Sequence, residues 1–324
     1  MHSSIRIVSS AQVARLLPMA DAIPLMARTF EAVSAGRAQL PLRMAVQAPA
    51  PQNRLGVMPG CLDEPGALGV KVVALFPNAA SHAGFILLFD PNSGAPLALV
   101  NAGEITALRT AAASAAATRV LANPGAADLA ILGTGVQAAA HLKAMAHARP
   151  LSRIRVWGRS PDKALAFAAA HGDDAPVPIE AMPSARAAVD GASLICTTTS
   201  SPTPILEGAW VSSGAHVNLV GSSFPTTREV DTPLVVRSRY YVDYLASALA
   251  QAGELKAAMD EGLVNADHIR GEVGQVLLSQ VAGRETPGDV TVFKSLGNAA
   301  QDLASARWVY DRATETGDGV AVEI

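Results

Sequence analysis

The chain has 324 residues, half of them hydrophobic but only 4% aromatic, with a formal net charge of −3. That length suits roughly two domains, and with no basic block it argues against a nucleic-acid partner. No apolar run approaches the ~20 residues that span a bilayer, MHSSIRIVSS lacks a signal-peptide core, and Cys61 and Cys196 fall in no metal or disulfide spacing. The expectation is a soluble cytoplasmic protein, free of membrane and metal.

Ser10 is placed to cap a helix over 11–17, which Pro18 ends. After Asp21, the residues Ile23, Met26, Phe30 and Val33 recur at helical spacing. Strand-like sequence follows at 43–46, 54–58, 70–76 and 84–89, and FDPNSGAPLALV reads as a hairpin turning at Pro91-Asn92-Ser93-Gly94. From Glu104 the pattern is helical, and AAASAAAT has so little bulk that a neighbouring backbone can approach closely. From about Asp128 the rhythm changes. DLAILG, RIRVWG, SLICTTT, HVNLVG and YYVDYL read as strands, alternating with VQAAAHLKAMAHA, PDKALAFAAAHG and PSARAAVDGA as helices. Such alternation predicts a parallel sheet covered by helices on both faces. A last helix over 298–314 lies beyond the final βα unit and is expected to return to the first domain.

The stretch ILGTGVQAAAHLKAM carries the most chemistry. Gly133 permits a sharp turn after a strand, Thr134 and Gly135 let backbone amides approach a pyrophosphate, and Val136 and Gln137 open a helix whose N-terminus favours anions. Ala138 is small enough to keep that helix against the strand. An ordinary βα turn without a ligand is the alternative; it is disfavoured because a second strand follows at the expected distance. NAD sites place a carboxylate at the tip of that second strand. Here Arg159 and Ser160 stand there instead, a fork and a hydroxyl suited to a 2′-phosphate, so NADPH is expected over NADH.

Three cations stand out before residue 120. Lys71 lies in GALGVKVVALFP, which reads as a strand apolar on both faces; Arg109 is alone in a long apolar helix; Arg43 follows Pro41-Leu42. A buried cation is most often a structural ion pair. The neighbouring acids Asp63, Glu64, Asp90 and Glu104 all fall in turns or at helix ends, however, so the three read as short of partners and as a pocket for a carboxylate. His82, in ASHAG, is a weaker candidate.

PLR, GVMPG, KVVALFP, SHAG, LFDPNSGAPLALV, EITALRTAAASAAAT, LGTGVQA, NLVGSSFPTTREVD, YVD and TVFKSLG occur in that order. Together, over nearly the whole chain, they resemble the ornithine cyclodeaminase/mu-crystallin family. The resemblance implies an α/β fold: a doubly wound Rossmann domain over 114–294, and a discontinuous α+β substrate and dimerisation domain over 1–113 completed by 295–324. It also implies a homodimer, and carboxylate binding at Arg43, Lys71 and Arg109, with Arg109 counted among the cofactor contacts too. Ser81, His82 and Ser295 match positions near the nicotinamide, and Thr197, Thr199 and Val220 match strand ends that line the cofactor. Two departures bear on the reaction. Cyclodeaminases of the family carry a Glu near Gly56 and an Asp in the loop where this chain has Gly221-Ser222-Ser223. Without these acids the pattern is closest to ketimine and pyrroline-2-carboxylate reductases. The expected reaction is hydride transfer from NADPH to the C=N carbon of a 2-imino acid, preferably cyclic, with Ser223 at the imine nitrogen. The alternatives are an acyclic imino acid reductase or amino acid dehydrogenase of alanine or iminosuccinate type, an ornithine cyclodeaminase, and a non-catalytic NADPH-dependent binding protein.

Overall fold

The computed structural model describes residues 4–50, 53–76 and 83–323. The chain begins with β1 (Ser4–Val8), α1 (Ser10–Leu16), α2 (Met19–Ser34), β2 (Ala38–Gln39), β3 (Met44–Gln47), β4 (Arg54–Leu62), β5 (Ala67–Leu75), β6 (Ala83–Phe89), β7 (Pro96–Asn101) and α3 (Ala102–Leu121). It continues through β8 (Asp128–Leu132), α4 (Val136–Ala148), β9 (Arg153–Trp157), α5 (Pro161–Ala170), β10 (Ile179–Ala181), α6 (Ala185–Val189), β11 (Leu194–Thr197) and β12 (His216–Leu219). Then come α7 (Thr232–Arg237), β13 (Arg239–Val242), α8 (Leu245–Gln251), α9 (Gly253–Asp260), β14 (Ile269–Glu272), α10 (Val273–Leu277), β15 (Thr291–Lys294), α11 (Ala299–Thr316) and β16 (Val320–Glu323). Two compact units result: one holds the chain up to Arg109 together with Gly297 onward, the other runs Thr110–Leu296. The sequence places the breaks at 113/114 and 294/295. The first break, expected at 113/114 and found at 109/110, falls inside α3 either way, a continuous helix with no local mark of the change in surroundings. Among the described residues, no helix is long and apolar enough to cross a membrane.

The first unit is built on one sheet in the order β16-β1-β7-β6-β5-β4-β2, with β3 added to β4. β4 to β7 form an antiparallel meander, and the β6–β7 hairpin is closed by Asp90, whose carboxylate accepts from the amides of Asn92 and Ser93. Helix α11 lies against β4 and β5 through Ala299 and Leu303. It comes so close that a Cβ on Gly69 of β5 would sit 2.9 Å from the Leu303 side chain. Asn298 caps α11 by accepting from the Gln301 amide.

One sequence expectation is corrected here and another is refined. Ser9, not Ser10, caps α1, in a reciprocal capping box with Gln12. β5 is apolar on both faces, as its sequence reads, and burial alternates along it, with Gly69, Lys71 and Val73 on the buried side. Its other side belongs to an open apolar surface. Met44, Val57, Val72 and Phe85 are register partners across β3, β4, β5 and β6, and Met44 and Phe85 are 56% and 49% exposed.

The second unit is a fully parallel sheet in the order β10-β9-β8-β11-β12-β15-β13-β14. Chain order reverses between β8 and β11, which makes the crevice outside their carboxyl ends the topological switch point where such sheets bind ligands. Strands that are covered on both faces read as continuous apolar runs, and β8, β11 and β12 are buried at nearly every position.

Candidate active site

In the first unit, β5 directs Lys71 into the interior between its register partners Met58 and Ile86. The side chain is 1% exposed, and its Nζ donates to Thr106 Oγ1 at 2.6 Å and to Asp302 Oδ1 at 3.0 Å. Arg109 follows Thr106 one helical turn along α3. Its Nε donates to the same Asp302 Oδ1 at 3.0 Å and its Nη1 to Gln301 Oε1 at 2.8 Å. Arg43, half-buried, donates from Nη2 to the Gly297 carbonyl at 3.4 Å. Gly297 itself has φ +74°, and a Cβ there would lie 2.4 Å from Arg109 Nη1, so only glycine leaves room for the guanidinium.

The structure thus brings Arg43, Lys71 and Arg109 together, and it corrects the premise that they lack an acid. Asp302, fully buried in the first turn of α11, pairs with both Lys71 and Arg109. Sequence reasoning missed it because first-turn acids usually sit on the surface and answer the helix dipole. Asp302 also lies 231 residues from Lys71. Among the described residues a single acid, Asp302, pairs with both Lys71 and Arg109, which leaves their cluster net positive. Burial lowers the Lys71 pKa to about 8; Asp302 opposes the shift, and Arg109 and Arg43 add to it. For Asp302, burial favours the neutral acid, but the charges of Arg109 and Lys71 and their hydrogen bonds prevail and hold it below the usual carboxylate range. A buried surplus of positive charge calls for an anion, and the planar donors of arginine match a carboxylate.

In the second unit, Gly133 ends β8 at φ +134°, its Cβ position only 2.5 Å from Thr198 Oγ1, and its amide donates to Trp157 O at 2.8 Å. The turn is therefore clamped between the ends of β9 and β11. Gly135 is the N-cap of α4 and offers no side chain, while the first helical bond runs from Ala139 to Gly135. The amides of Val136 and Ala138 precede that first helical bond and point toward the helix N-terminus, as at any helix start. A Cβ on Gly135 would meet no protein atom within 4 Å, so the space above these amides is open. The residues fit a dinucleotide pyrophosphate. Gly158, at the end of β9, lies against Thr134, its Cβ position 2.8 Å from Cγ2, and this sets exposed Arg159 beside the glycine turn. Ser160 caps α5 by accepting from the Lys163 amide at 3.5 Å, which leaves its hydroxyl hydrogen available to an anion.

The remaining strand ends are organised by a residue that sequence reasoning missed. Glu229, 1% exposed, accepts at 2.7 Å from Thr197 Oγ1, from the Thr199 amide and hydroxyl, and from the Gly221 amide. It ties the end of β11 to the loop after β12. Burial raises its pKa, against the pull of those donors and of Lys294. The expectation that Thr197 lines the cofactor is corrected for its side chain, which is fully buried and committed to Glu229. Thr198 and Thr199 are the partly open residues of this strand end. Val220 is 8% exposed and bonded through its amide to Thr197 O. Ser223 is half-buried on the loop, next to Ser222, whose carbonyl accepts from Lys294 Nζ at 2.6 Å. Ser295 is buried, and its hydroxyl has no hydrogen-bond partner among the described residues. Ser81 and His82 lie outside the described residues. No local signal marks Glu229, since Thr197 and Thr199 stand 32 and 30 residues away.

The sequence model of the ornithine cyclodeaminase/mu-crystallin family matches residues 4–317. A Δ1-pyrroline-2-carboxylate reductase of Bacillus cereus is 32% identical over 98% of this chain and 99% of its own length. The ketimine reductase mu-crystallin of Mus musculus is 38% identical over 85% of this chain and 86% of its own. Among solved structures, the Δ1-pyrroline-2-carboxylate reductase of Thermococcus litoralis, in complex with NADH and L-proline, superposes with a TM-score of 0.95. It shares 33% identity over 98% of this chain and all of the other.

Proposed function

Because the chain belongs to the ornithine cyclodeaminase/mu-crystallin family, we propose that it reduces the C=N bond of a 2-imino acid with a nicotinamide dinucleotide. The substrate is cyclic: Δ1-pyrroline-2-carboxylate, giving L-proline, or Δ1-piperideine-2-carboxylate, giving L-pipecolate. The observation that carries this reading is the net positive cluster of Arg43, Lys71 and Arg109 around a single acid. Such a cluster suits a substrate carboxylate. Gly56 and Ser223 stand where the cyclodeaminases of the family carry acids.

A reduced nicotinamide, when bound, supplies the hydride. The protein's part is positioning, which fixes the imine carbon at the right distance and angle. Arg43, Lys71 and Arg109 hold the carboxylate and thereby the plane of the C=N bond. The Ser223 hydroxyl oxygen accepts a hydrogen bond from the iminium N–H. Because a protonated iminium is already electrophilic, the site needs no strong acid. Arg159, exposed beside the glycine turn, supports a preference for NADPH, with NADH the weaker cofactor. The open apolar row of Met44, Val57, Val72 and Phe85 supports a homodimer formed through this face of the first sheet. The free thiols of Cys61 and Cys196 suit a reducing cytoplasm.

The test is a panel of cyclic and acyclic imino acids, each assayed with NADPH and with NADH at neutral pH. Steady oxidation of NADPH with a cyclic imino acid is the expected result. Turnover confined to iminosuccinate, or to pyruvate with ammonia, would reassign the substrate. Tight cofactor binding without turnover would make the protein a binder.

A further inference from the structure

Asp302 poses a question of its own: a site that takes a carboxylate contains a carboxylate. Lys71 is faced from α11 by Asp302, from α3 by Thr106 and Arg109, from β4 and β6 by Met58 and Ile86, and from the segment before β3 by Arg43. Among these groups Asp302 is the sole acid. Its Oδ1 accepts from Lys71 Nζ and from Arg109 Nε, whereas its Oδ2 is buried with no hydrogen-bond partner among the described residues. A carboxylate serving stability alone gains from bonding both oxygens; this one uses a single atom as a bridge between two cations. The donor inventory shows what the bridge leaves over. Lys71 has three N–H bonds, of which two point to Thr106 and Asp302; Arg109 has five, of which two point to Asp302 and Gln301.

We propose that Asp302 is a positioning residue for substrate binding: it holds Lys71 charged between two guanidinium groups and sets Lys71 and Arg109 side by side, with their remaining donors left for the substrate carboxylate. The inference rests on the imino acid reading above. Two positive neighbours and a buried location both drive Lys71 to shed its proton, and Asp302 is the one group that opposes them. A neutral acceptor in its place keeps the hydrogen bonds and removes the opposition.

Asp302→Asn makes that change, and two readouts separate positioning from bulk stability. The first is the titration of Lys71 followed by NMR of the protein labelled at lysine Cε. The chain has five lysines, and Lys71→Met assigns the signal. The midpoint is expected at about 8 in the wild type and roughly one unit or more lower in Asp302→Asn. The second is KM for the imino acid against pH, taken as the ratio of variant to wild type so that the substrate's own ionisation cancels. Near pH 6 Lys71 is charged in both proteins and the ratio does not exceed unity. At pH 8 a one-unit shift leaves the variant with roughly fivefold less charged lysine, so the ratio is at least about 5, with kcat little changed. Asp302→Glu keeps the charge, and its Lys71 midpoint stays at the wild-type value. Equal midpoints in wild type and Asp302→Asn overturn the proposal, as does a KM ratio independent of pH or a loss confined to kcat. A wild-type protein inert with every imino acid would refute the functional reading instead, and the Lys71 midpoint would then decide by itself what Asp302 does to the cation.

Discussion

Gly297→Ala separates the architecture of the carboxylate site from its stability. Alanine at φ +74° costs roughly 1–2 kcal/mol of backbone strain. The new Cβ would fall 2.4 Å from Arg109 Nη1, 2.7 Å from Nη2 and 2.9 Å from Cζ, so one of the two must move. Arg109 yields, because its guanidinium is the free end of a long side chain whereas residue 297 is backbone. The fold loses the strain and whatever of the Asp302 and Gln301 bonds the displaced guanidinium gives up, so the drop in Tm is at least roughly 2–8 °C. The site loses more. A displaced guanidinium gives up a charge-assisted hydrogen bond to the substrate carboxylate, worth ~1.5–3 kcal/mol, or roughly a 10- to 150-fold fall in kcat/KM. The glycine turn belongs to the other unit, so the loss of affinity for the dinucleotide is smaller than the loss of kcat/KM. Steady-state kinetics, cofactor titration by fluorescence and a thermal melt give all three numbers. Wild-type kcat/KM in a folded Gly297→Ala protein would refute the reasoning, and so would a loss of cofactor affinity as large as the loss of kcat/KM.

Arg159→Ala should weaken NADPH binding by roughly 10- to 150-fold, the same hydrogen-bond range, while NADH binding is unchanged; an equal loss for both cofactors would remove Arg159 from the phosphate. His141 and His216 are both fully buried, and burial lowers their pKa values from 6.5 to about 4 and about 3. Between pH 6.5 and 4 the unfolded chain thus binds protons that the folded one refuses, and stability falls with acid by ~2 kcal/mol per histidine at pH 5. A Tm that does not change between pH 7.5 and 5 would contradict this. Met44→Lys places a charge in the open apolar row, and sedimentation is expected to show a dimer for the wild type and a monomer for the variant. A monomeric wild type would remove the assigned interface.

Sequence patterns showed most of what is local and periodic. The βα alternation from Asp128 onward, the glycine turn and the β6–β7 hairpin depend on residues close in the chain, and the structure places them at or near the expected positions. β1 and β16 did not register, because each is too short to show a period and they are joined only to distant partners: to each other, and β1 to β7. The same physics limited the reading of the site. Arg43, Lys71 and Arg109 drew attention because charges in apolar surroundings are costly. Their counter-charge, Asp302, has the local signature of a surface helix start, and nothing within its own turn distinguishes it. Glu229 escaped for the same reason, since its ligands Thr197, Thr199 and Gly221 meet it only in the fold. Reading a charge as unpaired needs the whole fold, because its partner can arrive from the other end of the chain.

In the proposed reaction the dinucleotide leaves each turnover oxidised, whereas a cyclodeaminase would regenerate it within one cycle. Two incubations test it directly: L-ornithine with NAD+, and Δ1-pyrroline-2-carboxylate with NADPH, with proline and ammonia measured in each. Proline from the second mixture alone, matched mole for mole by NADPH oxidised, is the predicted result. Efficient formation of proline from ornithine with release of ammonia would contradict it.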